Sequence, residues 1–177
     1  MADPRWQMNP RPASASNDEQ PAAPIYAFDI TLLRRGDGTP GPVYGDDRGR
    51  WPTLDVPRDQ LVVPMAVQFD DAMSRLAALE RMFVEPDGSF VWVSPRSDST
   101  WQVDGNAFER DGRVLLVDLK GSCPPEEFDR LLAAVGWPHE PMMMQLVRAA
   151  VLLDEQTFRQ HAAARGAAGD GKTLRPG

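Results

Sequence analysis

The chain has 177 residues, 42% hydrophobic and 25% charged, a balance that places it in the globular class and, at this length, in one domain. Its formal charge of -7 and isoelectric point near 4.8 argue against tight binding to a phosphate backbone, which depends on clustered Lys and Arg, so no nucleic-acid partner is expected. A single cysteine, Cys123, excludes an intrachain disulfide and a thiolate zinc cluster, and no run approaches the roughly 18 apolar residues of a membrane span. The expected setting is a cytoplasm, with no membrane partner. Lys120 and Lys172 are the only lysines among the 19 basic residues, and this Arg-rich, Ala-rich usage suggests a bacterial source with a GC-rich genome.

Residues 1–24 carry Pro4, Pro10, Pro12, Pro21 and Pro24 among small and polar residues, a composition that buries too little surface to offset its ordering entropy. They are expected to form a disordered tail. Trp6 has no core of its own there, so it either docks back on the body or anchors the tail to a partner. From Ile25 to Leu33, apolar residues alternate with polar ones at the period of a strand. The stretch 34–58 is rich in Gly and Pro and is expected to wander over the surface; Leu61 to Val63 suggests a short edge strand before Pro64.

Phe69, Ala72, Met73, Leu76, Leu79 and Phe83 recur at helical spacing, with Asp70 and Asp71 in the first turn. Short strand-like runs follow at 90–93, 101–103, 107–110 and 114–119, separated by Pro86-Asp87-Gly88, Asp104-Gly105 and Asp111-Gly112, which read as turns. Pro124, Pro125, Glu126 and Glu127 mark a helix start, and Gly136 marks its end. Met142 to about Gln160 is apolar on two sides and reads as a further, buried or paired helix. Residues 162–177 read as a flexible tail, leaving a folded body over 25–161. The order of elements predicts an α+β fold, an antiparallel β-meander with helices packed on one face.

The motifs that suggest chemistry lack their supports. Gly166 to Thr173 spells the GxxxxGK[ST] phosphate loop, but the pattern needs a strand before it and a helix after it, and four residues remain. Arg35-Gly36-Asp37 spells an adhesion tripeptide and reads as a turn. His139-Glu140 begins an HExxH pattern whose second His position holds Met143, so the zinc site lacks a ligand. Asp46-Asp47 lacks the alternating ligands of a calcium loop; Asp104 and Asp111 are accounted for by turns and Asp118 by strand alternation; His161 falls near a fraying helix end. No catalytic residue, metal site or cofactor is expected from these.

What is left points to partners. Met142, Met143 and Met144 would sweep most of a helix's circumference, which leaves Met142 or Met144 for a protein partner or self-association. Trp6 is the other candidate contact. The expected function is a non-enzymatic protein-binding or adaptor module of a bacterial cytoplasm. The alternative is a small enzyme or small-molecule sensor whose pocket gathers distant residues, with Trp51, Arg96 and Trp101 as candidates.

Overall fold

The computed structural model describes residues 24–97 and 100–170; Trp6 and residues 171–177 lie outside the described residues. β1 (Tyr26–Arg34) is the strand its alternation implies, with Phe28, Ile30 and Leu32 buried on one face and Asp29 and Thr31 half-buried on the other. The Gly- and Pro-rich excursion carries four short strands, β2 (Thr39–Pro40), β3 (Tyr44–Asp46), β4 (Gly49–Trp51) and β5 (Leu54–Asp55). Leu61 belongs to a 3-10 turn over Gln60–Val62 rather than a strand. The helix α1 (Phe69–Ala77) keeps its acidic first turn, yet it ends before Phe83, which joins β6 (Met82–Val84).

β7 (Ser89–Val93) is followed by β8 (Gln102–Arg110), which runs straight through Asp104-Gly105, where the sequence suggests a turn. Gly105 stands in mid-strand because a Cβ there would collide with the ring of Phe90 on the neighbouring strand. The Asp111-Gly112 turn does form, with φ of 53° and 77°, and leads into β9 (Arg113–Cys123). The helix α2 (Pro125–Ala134) follows, with Pro124 and Pro125 at its start.

The largest correction concerns residues 142–160. They form β10 (Met142–Leu146), a turn, β11 (Val151–Asp154) and the opening of α3 (Glu155–Ala167), not one helix. A strand covered on both faces is apolar at consecutive positions, and such a run imitates a helix that is apolar on two sides. Asp154 caps α3 by accepting from the Thr157 amide at 2.7 Å. α3 also runs past residue 161, with Ala162 and Gly166 buried, so the folded body extends beyond its expected end.

Nine strands form one antiparallel sheet in the order β2-β5-β11-β10-β1-β9-β8-β7-β6, and β3 and β4 pair as a separate hairpin. The fold is α+β, an antiparallel sheet with three helices. Phe28, Ile30, Leu32, Val117, Leu119, Met142 and Met144 meet Phe128 of α2 and Phe158 of α3 in the main core. On the opposite face, Leu33, Met143 and Leu152 pack with Val56, Leu54 and Leu61, so the excursion after β1 covers that end of the sheet. Over the rest of that face Asp29, Thr31, Asp104, Asn106, Asp118 and Lys120 line a groove.

Candidate functional site

Two places gather side chains with chemical potential. The first is a cleft of about 260 Å³ between the β3–β4 hairpin, α3 and the turn after β10. The hairpin closes on Asp46, whose Oδ1 accepts from the amides of Arg48 (2.9 Å) and Gly49 (3.0 Å) and from Trp51 Nε1 (3.0 Å). Its Oδ2 lies 3.2 Å from His161 Nε2, and the Trp51 ring meets the imidazole edge-on at 5.2 Å. Asp46 therefore fastens the hairpin to α3. Burial works to raise its pKa, but the indole, the two amides and His161 together hold it below the ordinary 3.8.

His161, expected at a fraying end, is only 4% exposed, because α3 turns Phe158, His161 and Ala162 toward the same packed side. Burial pushes its pKa below the ordinary 6.5 against the pull of Asp46. Beside this pair, Arg48 Nη2 reaches both oxygens of Asp170 at 3.0 and 3.2 Å, and Arg165 Nε reaches one at 3.1 Å. Tyr44, Arg148, Leu146 and Ala149 complete much of the wall. An Asp-His pair can orient or deprotonate a nucleophile, but among the described residues no Ser, Thr, Cys or Lys lines this cleft. What converges instead is a mixed-charge lining, the guanidinium groups of Arg48, Arg148 and Arg165 with the carboxylates of Asp29, Asp46, Asp47 and Asp170.

The second place is the groove on the open face of the sheet, about 420 Å³ in volume. Thr31 Oγ1 donates to Asp118 Oδ1 at 2.5 Å, and Gln102 Nε2 donates to Asp104 Oδ1 at 2.7 Å. Asp104 is thus a strand residue with a side-chain partner, not a turn residue. The Oδ1 of Asn106 is enclosed without a hydrogen-bond partner among the described residues. Large apolar side chains share this face of the sheet. Phe83 pairs across strands with Val91, Val91 with Asp104, and Phe108 with Leu116, which places all three on the open face. Val147 lines the groove itself.

The residues singled out from sequence scatter. Trp51 packs against Asp46 and His161 behind the cleft, whereas Trp101 is buried edge-on against Trp92 at 5.0 Å, and Arg96 is exposed on the β7–β8 connection. They do not share a pocket. Met142 and Met144 are 1% and 0% exposed, because β10 is an inner strand; the helical sweep that would have left one of them outside does not exist. His139 is exposed in a loop, while its neighbour Glu140 accepts from Arg34 Nε at 3.1 Å and from the Ala66 amide at 2.7 Å. Gly166 lies inside α3, not after a strand, and residues 171–173 fall outside the described residues.

Asp46, Arg48, His161, Arg165 and Asp170 were passed over as site residues because more than a hundred positions separate their two groups. The helical spacing of Phe158, His161, Ala162 and Arg165 is the signal that could have placed His161 on a packed face. Cys123 is buried at the end of β9, where burial, with Glu127, Glu126 and Asp129 nearby, pushes its thiol pKa well up. Such a thiol is inert. Among the described residues no group of three or more His, Cys, Asp or Glu is placed to hold a metal ion, and no helix is long and apolar enough to cross a membrane. No protein-family model, curated protein or solved structure matches the chain.

Proposed function

We propose that this chain is a non-enzymatic protein-binding module of a bacterial cytoplasm, and that it takes its protein partner on the open part of its sheet. The observation that carries this reading is the set of exposed apolar side chains on the groove's face of the sheet: Phe83 at 60%, Val147 at 48%, Phe108 at 41% and Val91 at 38%. An antiparallel sheet can leave one face in water, but alternation then places polar residues on that face. Phe83, Val91 and Phe108 break the rule on three successive strands, β6, β7 and β8. Exposed apolar residues on neighbouring strands mark interaction surfaces, and the polar groove beside them matches the mixed character of a reversible interface.

A photo-crosslinking amino acid at position 83, compared in the native host with the same group at the exposed Arg75 of α1, tests the surface. The expected result is one discrete covalent adduct from position 83 and none from position 75. An adduct of twice the chain mass would identify a second copy as the partner. Equal labelling from both positions, or none from position 83, would overturn the reading.

A further inference from the structure

The strand register sets out a row of side chains across the open face. It starts at Val147, whose amide donates to the Asp29 carbonyl at 3.2 Å, and continues through Asp29 on β1, Lys120 on β9, Asp104 on β8, Val91 on β7 and Phe83 on β6. Neighbouring strands lie about 4.8 Å apart, so Asp29 and Asp104 flank Lys120 with about 10 Å between their backbones. The next row along the groove places Asp118 between Thr31 and Asn106. The face therefore reads apolar, acidic, basic, acidic, apolar, with a third carboxylate beside its centre.

The charges in the groove are unbalanced, since Asp29, Asp104 and Asp118 are opposed there by Lys120 alone. Lys120 is exposed and, among the described residues, makes no ion pair with either of the carboxylates that flank it. Asp104 and Asp118 each accept through Oδ1 from one neutral donor, Gln102 and Thr31, and Asp29 makes no side-chain hydrogen bond among the described residues. Asn106 adds an Oδ1 that lacks a donor among the same residues. Acceptors thus outnumber donors at the centre of the face. These carboxylates are not grouped to hold a metal ion, and the formal charge of -7 on the chain strengthens its attraction for a basic partner and repels an acidic one.

We propose that the partner of the open face presents a segment with at least two basic side chains, arginine above all, that straddle Lys120 and meet Asp29 and Asp104. The inference rests on that face being where the partner docks, and it adds what the partner must carry there. A guanidinium group pairs with carboxylate through a planar fork of donors, which supplies what the centre of the groove lacks. Lys120 repels a basic group set directly over it, so it selects paired basic side chains over a single one.

Fluorescence anisotropy with a labelled peptide Leu-Arg-Ala-Arg-Leu, and with the same peptide carrying Glu in place of Arg, tests the face in the full chain. The Arg peptide is expected to bind the more tightly. Asp29→Asn combined with Asp104→Asn keeps the shape of both side chains and should weaken the Arg peptide by about fivefold, the scale of exposed ion pairs, while Lys120→Gln should tighten it by about twofold. Asp70→Asn combined with Asp71→Asn on α1 removes the same charge elsewhere and should change the affinity by less than about twofold. Equal affinity for the two peptides, or an equal loss from the α1 pair and the groove pair, would overturn the proposal and leave an adduct at position 83 standing for a partner of other chemistry. A charge response with no loss in Phe83→Ser would uphold the basic ligand and remove the apolar seat from the function proposed above. A dimer in sedimentation that Phe83→Ser dissociates would make a second copy the occupant and overturn the basic partner.

Discussion

The two faces of the sheet are made by the same strands and do opposite work. Toward the helices, Phe28 meets Phe128 at 5.3 Å and Phe158 at 6.3 Å, and Phe128 meets Phe158 at 5.3 Å, an aromatic cluster sealed from water. One residue along the chain, Asp29 points the other way and helps line the open groove with Thr31, Asp118 and Lys120. Because side chains alternate with a period of two, each central strand carries stability on one face and, in the function proposed above, recognition on the other. The comparison teaches that the two roles are separable by mutation, and it predicts a steep gradient of stability from the first face to the second.

The largest effect is expected at the aromatic cluster. Phe128→Ala removes the ring that both Phe28 and Phe158 touch, and it should cost about 3–5 kcal/mol of unfolding free energy in urea titrations. A loss under about 1 kcal/mol would mean that α2 is not held as described. The covered part of the other face should follow. Met143→Gln places an amide among Leu33, Val56 and Leu152, and Met144→Gln places one in the main core, each costing about 1–3 kcal/mol. A helix over 142–160 with one packed side would make one substitution in the Met run cheap, so cheap and costly outcomes tell strand from helix.

That stretch also shows where the sequence stopped being legible. β1, the Asp111-Gly112 turn and α2 could be read because each carries a local cue: alternation, a turn dipeptide, prolines before acids. The helices on one face followed from the order of elements. β10 could not be read, since the second cover over Met143 is supplied by Val56, Leu54 and Leu61, about ninety residues away. Gly105 misled for a similar reason, its role being set by the Phe90 ring on another strand. The cleft was illegible as a unit because Asp46 and His161 are 115 positions apart, and only the fold of the hairpin onto α3 joins them. The open groove lay hidden in plain alternation, which shows that Thr31 and Asp118 face outward but not that Phe83 joins them.

The contact between the hairpin and α3 should respond to pH. His161 has a folded pKa below its ordinary 6.5, so between those two values the unfolded chain binds the proton that the folded chain refuses. Its contribution is fully present above the unfolded value and is lost as pH falls through the folded one. The slope is at most about 1.4 kcal/mol per pH unit, for one proton. Asp46, also depressed, adds a loss only in more acid solution, below its ordinary 3.8. Unfolding titrations from about pH 7 to pH 5 should show this decline in the natural chain and a flatter profile in His161→Gln. Identical slopes in the two proteins would show that His161 is not buried in its neutral form.

The smallest stability effect is expected where the comparison is sharpest, at the outer edge of the open face. Phe83 is 60% exposed on β6, the last strand of the sheet, while its neighbour Met82 on the same strand is 8% exposed and turned to the core. Phe83→Ser removes apolar surface that water already reaches, so the unfolding free energy should shift by no more than about 0.5 kcal/mol. Met82→Ser, one position away, loses buried surface and exchanges it for a hydroxyl in the core, and should cost about 2 kcal/mol or more. A partner-binding role adds the opposite ranking for capture. Phe83→Ser should weaken the position-specific adduct when the crosslinking group is moved to Val91, the cross-strand partner of Phe83, although the fold is intact. A Phe83→Ser chain that is as stable as the natural one and is captured equally well would leave Phe83 a solvated edge residue, and would confine recognition to the polar groove beside it.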